Sequence, residues 1–176
     1  MKRTIEAWHK FRGLSAHSRS LILEAAVALV ATWVGLRVVG FRRWKVVLGW
    51  FAPERVRCVR TADSAVLGAG RAIARFQNAA ARHLFLPTNC LERSLVLCWL
   101  LERRGIGARL RIGARKQEGR FEAHAWVEVD GTVLNEAAEP HLHFAPFEKP
   151  ITSLETKTPW DLRMKQDAIK GVAEER

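Results

Sequence analysis

CLERSLVLCWLLERRGIGARLRIGARKQEGRFEAHAWVEVDGTVLNE, residues 90–136, divides into one helix followed by three strands. Asn89, just ahead of it, is a helix cap, and Glu92 stands three residues on, where its carboxylate can reach back to the cap in a capping box. The helix then runs from Cys90 to about Arg104, and Gly105 ends it. ARLRIGAR (108–115) alternates Leu110, Ile112 and Ala114 with Arg109, Arg111 and Arg115, the period of a half-buried strand. KQEG (116–119) turns the chain into a second strand, RFEAHAWVEV (120–129). Asp130-Gly131 is a two-residue hairpin signal, and TVLNE follows as a third strand.

Two residues in this stretch pair as chemistry. Cys90 is the first helical residue, where unbonded N–H groups and the helix dipole favour an anion and therefore a thiolate. The same N–H groups can hold the oxyanion of a tetrahedral intermediate. A small buried apolar cysteine fits the spacing equally well. His124 shares a strand face with Trp126 and Glu128, while Ala123, Ala125 and Val127 share the other. A lone strand histidine is more often a core residue. Preceded by a helix-start cysteine, it becomes the base of a nucleophile–base pair. A third group must orient the imidazole, and Asn135 and Glu136 are the candidates. A two-residue turn sets 129 opposite 132 and puts Asn135 on the His124 side; a three-residue loop with a bulge brings Glu136 there. Glu139 is a further candidate, and Asp130 is the turn residue.

The other signals are bland. Cys98, between Leu97 and Trp99, and Cys58, in a basic loop, lack an activating context. Cys90 and Cys98 stand about 12 Å apart along the helix, beyond disulfide reach. An odd count of three cysteines without framework spacing indicates a reduced, cytoplasmic protein. HLH at 141–143 lacks metal-site company and reads as a solvated loop. GAG at 68–70 lies within a helical pattern, not between strand and helix, so no phosphate loop is expected. No cofactor and no metal are expected.

Upstream, DSAVLGAGRAIARFQNAAARHL (63–84) has helical apolar spacing and is broken by Pro87. An earlier helix spans Ser20 to Gly40, with Ser20 as its cap and Glu24 in its first turn. Its uncharged run, Ala25 to Leu36, is about 12 residues against the ~20 that a bilayer requires. A buried core helix is the preferred reading, and a membrane-surface helix remains open. FRRWKVVLGWF (41–51) is basic and aromatic, suited to a lipid or protein surface, or else a solvated face with two core tryptophans, Trp44 and Trp50. Residues 1–60 hold twelve Lys or Arg against three Asp or Glu, the main source of the net charge of +11. Such a face attracts nucleic acid, anionic lipid or acidic polypeptide. No Tyr, RNA-binding or helix-turn-helix signature is present, so nucleic acid is not an expected partner. The length suits one domain with an appendage: a basic helical region (1–60), a core (61–150) and a polar tail (151–176).

The pieces CLxRSL, LLxRRG, RIGxRK and AHAWVEVDGxVLN, in this order and spacing, resemble the peptidase of lasso-peptide maturation within the transglutaminase-like superfamily. GFRRWKVVLGW (40–50) is similar to the lead-in of its stand-alone form. The resemblance covers roughly residues 20–136. It implies an α+β papain/transglutaminase-like core, with a helical N-terminal half packed on a small antiparallel sheet. It also implies a cysteine peptidase that removes the leader from a ribosomal precursor peptide before macrolactam closure. The nucleophile falls at Cys90, the base at His124, and the family's aspartate at Glu136, a longer acid. The implied partners are the precursor peptide, a separate small leader-recognition protein and an ATP-dependent, asparagine-synthetase-like lasso cyclase. A transglutaminase-like acyltransferase and a non-catalytic basic scaffold for peptide or membrane are the alternatives. The implied location is cytoplasmic, with membrane association open.

Overall fold

The computed structural model describes residues 12–50, 63–117, 119–136, 143–147 and 151–152. Among these, four helices precede an antiparallel sheet: α1 (Ala16–Val38), α2 (Gly40–Trp50), α3 (Ser64–His83) and α4 (Cys90–Glu102), then β1 (Arg109–Gln117), β2 (Arg120–Val129), β3 (Thr132–Val133), β4 (Ala145–Pro146) and β5 (Ile151–Thr152). The α+β class expected from the sequence is the one observed. Helix α1 starts a turn earlier than expected, because Ser15 rather than Ser20 caps it and accepts from the Ser18 N–H at 3.1 Å. Val39 alone separates α1 from α2, whose first residue, Gly40, turns the chain at φ +77°. The Trp44 ring of α2 lies directly on Gly35 of α1, where any side chain would collide with it.

Helix α4 is the centre of the molecule. Leu95, Val96, Leu97, Leu100 and Leu101 are buried around its circumference, as an interior helix requires. It packs on α1, α3 and β2. The sheet orders its strands β3-β2-β1-β4, and β5 also pairs with β1. Ala125, Val127 and Val129 of β2 and Leu110 of β1 turn inward to the helices. At the second hairpin Val129 faces Thr132, with Asp130 at φ +46° and Gly131 at φ +77°, so the turn has two residues. The first turn is tighter than the four residues expected: Gln117 already faces Arg120.

Helix α1 runs antiparallel to α4 and is fastened at both ends. Glu24 pairs with Arg103 at 3.1 Å and Arg104 at 2.6 Å, past the end of α4. Arg37 pairs with Glu92, in the first turn of α4, at 2.7 Å. By length and composition α1 could cross a membrane, a test that core helices of soluble proteins also pass. Here Leu21, Ala25, Leu29, Thr32 and Gly35 face the protein interior.

The Arg37–Glu92 pair is asymmetric, since Arg37 is half exposed while Glu92 is 1% exposed. Removing Arg37 therefore strands a buried carboxylate, whereas removing Glu92 leaves an arginine that water can solvate. Arg37→Ala should cost about 2–4 kcal/mol, far more than a typical half-exposed residue. Arg37→Ala combined with Glu92→Gln should recover part of that loss. Urea unfolding of the three proteins measures both, and a single mutant as stable as wild type would show that the pair carries no weight.

Candidate active site

Three local features place the candidate residues. The first is the start of α4. Asn89 Oδ1 accepts from the Glu92 N–H at 2.9 Å, and the Asn89 N–H donates to Glu92 Oε2 at 2.8 Å, the reciprocal capping box. This fixes Cys90 as the first helical residue, half-buried. Arg37 neutralises the second oxygen of Glu92, so that the acid brings no net charge to this end of the helix. The Cys90 and Leu91 N–H groups make no hydrogen bond among the described residues, leaving two donors beside the thiol.

The second joins α4 to β2. Ser94, one turn beyond Cys90, is fully buried and donates from Oγ to the Ala125 carbonyl at 2.9 Å. That carbonyl belongs to the residue after His124, so the bond ties the nucleophile's helix to the histidine's strand. Among the described residues no hydrogen bond joins the Cys90 thiol to the His124 ring; what the fold supplies is the docking of their elements.

The third is the end of the β3 ladder. The Leu134 N–H still donates to the Val127 carbonyl at 3.0 Å. The Val127 N–H, however, is taken by Asn135 Oδ1 at 2.9 Å, and Asn135 Nδ2 donates to Ser94 Oγ at 3.0 Å. A side chain thus replaces the next backbone partner, and the strand stops at Val133, short of the expected 136. Glu136 then meets His124, Oε1 to Nε2 at 3.2 Å. A two-residue turn with an unbroken ladder is expected to put Asn135 on the His124 side. The turn does have two residues, yet Glu136 is the neighbour of His124, because the ladder ends at Val133 and the Asn135 side chain is engaged by Val127 and Ser94.

The other side of the imidazole is packed. Trp126 stacks near the ring at 6.2 Å between centroids, and Phe144 lies at 5.2 Å. Trp126 is fully buried and held through its indole N–H to Glu128 at 2.7 Å. Opposite His124 in the ladder stands Gly113. A Cβ there would come within 2.9 Å of the Ala145 carbonyl and 3.0 Å of Trp126, so glycine lets β4 carry Phe144 up to the histidine. The Nδ1 nitrogen of His124 makes no hydrogen bond among the described residues.

The model of the transglutaminase-like superfamily matches residues 35–149, well over half of the chain. The chain belongs to the transglutaminase-like superfamily. No curated protein and no solved structure matches it. The matched span of this transglutaminase-like domain contains Cys90, His124, Asn135 and Glu136, and the superfamily is typically a cysteine-protease-type fold with peptidase or acyl-transfer chemistry. Ser94, Arg37 and Phe144 have no part in the sequence reading of the site. Ser94 alone carried a signal, being four residues from Cys90 and hence on its helix face. Glu139 and the pair 141–142 of HLH lie outside the described residues, as does Cys58.

The two described cysteines differ sharply. Cys98 is buried, and burial pushes its thiol well above the usual range; Glu102 adds to the rise and Lys45 opposes it. Iodoacetamide at neutral pH should label Cys90 well ahead of Cys98 in the folded protein. Peptide mapping over a time course reads the ratio, and equal rates would contradict this placement.

Proposed function

We propose that this transglutaminase-like domain is a cysteine peptidase that removes the leader from a ribosomally made lasso-peptide precursor. The observation that carries the hydrolytic chemistry is the His124–Glu136 contact on a strand pinned to the helix that Cys90 begins. The leader–core substrate rests on the resemblance of residues 90–136 to that peptidase family.

In this reading the Cys90 sulfur adds to the scissile carbonyl carbon, and its proton passes to Nδ1 of His124. Glu136 holds Nε2 and stabilises the imidazolium that forms. The Cys90 N–H, facing no other acceptor, donates to the oxyanion. Collapse breaks the C–N bond, and His124 returns the proton to the departing amine. Water then adds to the thioester, freeing the leader carboxylate and restoring the thiol. The precursor is brought by a separate small leader-recognition protein, and the freed core passes to an ATP-dependent, asparagine-synthetase-like cyclase.

Incubating the full chain with a leader–core precursor and the recognition protein, then weighing the products, tests this directly. Two fragments whose masses sum to precursor plus one water are expected. With a primary amine added, a leader fragment ending in that amine's amide in place of the free acid would replace peptidase by acyltransferase. An unchanged precursor would remove the leader-peptidase reading.

A further inference from the structure

Helix α1 is apolar on two opposite sides. Its core side is filled by Leu21, Ala25, Ala28, Leu29, Thr32 and Gly35. On the other side Leu23, Val27, Val30, Val34 and Val38 are 37–75% exposed. At 3.6 residues per turn these five fall within roughly 80° of the circumference and extend about 22 Å along the axis. The stripe opens into a groove of about 950 Å³ between α1 and α2, where Trp44, Val47 and Trp99 join Leu23 and Val27. Around the α1–α2 corner the exposed Val39 and Val46 adjoin Arg42 and Arg43.

The charges on this face have one sign. Between residues 12 and 50 the single acid is Glu24, and Arg103 and Arg104 already neutralise it. Arg19, Arg42 and Arg43 are left beside the groove and the corner, none in an ion pair among the described residues. We propose that the exposed stripe of α1, with Arg42 and Arg43 beside it, seats this protein on an anionic membrane surface, independently of what the active site cleaves.

The occupant follows from complementarity. A valine stripe provides apolar area but no hydrogen-bonding group, while the arginines require anions; an acidic bilayer surface supplies acyl chains and phosphates in that arrangement. A second copy docking by the same face would oppose arginine to arginine with no free carboxylate between them. The helix lies on the bilayer rather than across it, because its far side is core and both of its ends are ion-paired to α4.

Co-sedimentation of the full chain with vesicles of equal parts phosphatidylcholine and phosphatidylglycerol, beside pure phosphatidylcholine vesicles, tests this. Binding to the anionic vesicles should be at least about tenfold tighter and should weaken in high salt. Val27→Glu with Val34→Glu, and separately Arg42→Glu with Arg43→Glu, should each weaken it by about tenfold or more. All four positions are exposed, and thermal melts establish that the variants remain folded. Failure to bind anionic vesicles overturns the proposal, as does unchanged binding by the valine variant. So does a dimer in sedimentation velocity that the valine variant dissolves, or stripe-dependent binding of polyglutamate without vesicle binding.

Discussion

In the proposed leader peptidase, Cys90→Ala should reduce precursor cleavage by a factor on the order of 10⁵–10⁶, the scale on which removal of a nucleophile alone disables a triad enzyme. The size of the loss follows from how the site is built. No other described cysteine can substitute, since Cys98 is buried within α4 and its thiol is held in the neutral form. Alanine leaves the fold intact, because the capping box uses Asn89 and Glu92 and not the thiol. The variant should therefore melt close to wild type while losing activity, and single-turnover assays with mass detection can follow both cleavage rates. A Cys90→Ala protein that still supports maturation would point to a scaffold with a vestigial site.

Glu136→Gln should lower kcat by about 10–10³. Glutamine keeps an acceptor within reach of His124 Nε2 but removes the negative charge that stabilises the imidazolium. A serine triad loses ~10⁴ from the comparable change; a cysteine, the more acidic nucleophile, should lose less. Asn135→Ala should act differently. It removes the acceptor of the Val127 N–H and the donor to Ser94, so it should cost about 1–3 kcal/mol of stability. At temperatures where the variant stays folded, kcat should fall less than in Glu136→Gln. Measured together, the two substitutions separate orientation of the base from anchoring of its strand. A folded Asn135→Ala protein with the larger kcat loss would make Asn135 the residue that orients the imidazole.

Local signals in the sequence reach some of this arrangement. Asn89 and Glu92 form the box that their spacing implies, because both partners lie within one turn. Asp130 and Gly131 form the two-residue turn for the same local reason, both at positive φ. The contacts that tie the helix begun by Cys90 to the strand of His124 could not be read in this way. Ser94 reaches Ala125 and Asn135 across 31 and 41 residues, and Arg37 reaches Glu92 across 55. No periodicity records such a partner. The start of α1 is not legible, because Ser15 and Ser20 are equally good caps by residue type and the apolar run begins only at Leu21. The extent of β3 is not legible either, because a side-chain amide can stand in for a backbone group, which alternation of apolar residues does not reveal.

The Ser94–Asn135 bond spans 41 residues, so during synthesis it can form only once residue 135 has been made. Nucleophile and base are both present once Val129 has been made, but the acid and its anchor come last, at the far end of a hairpin. Closing loops of this length carries an entropic cost that local helix formation does not, so α4 can form early while the site cannot. A chain still on the ribosome and exposed only to Val129 thus carries the thiol and the imidazole without the Asn135 pin or the carboxylate. In the proposed peptidase the His124–Glu136 pair is therefore complete only after the hairpin has closed against the helix.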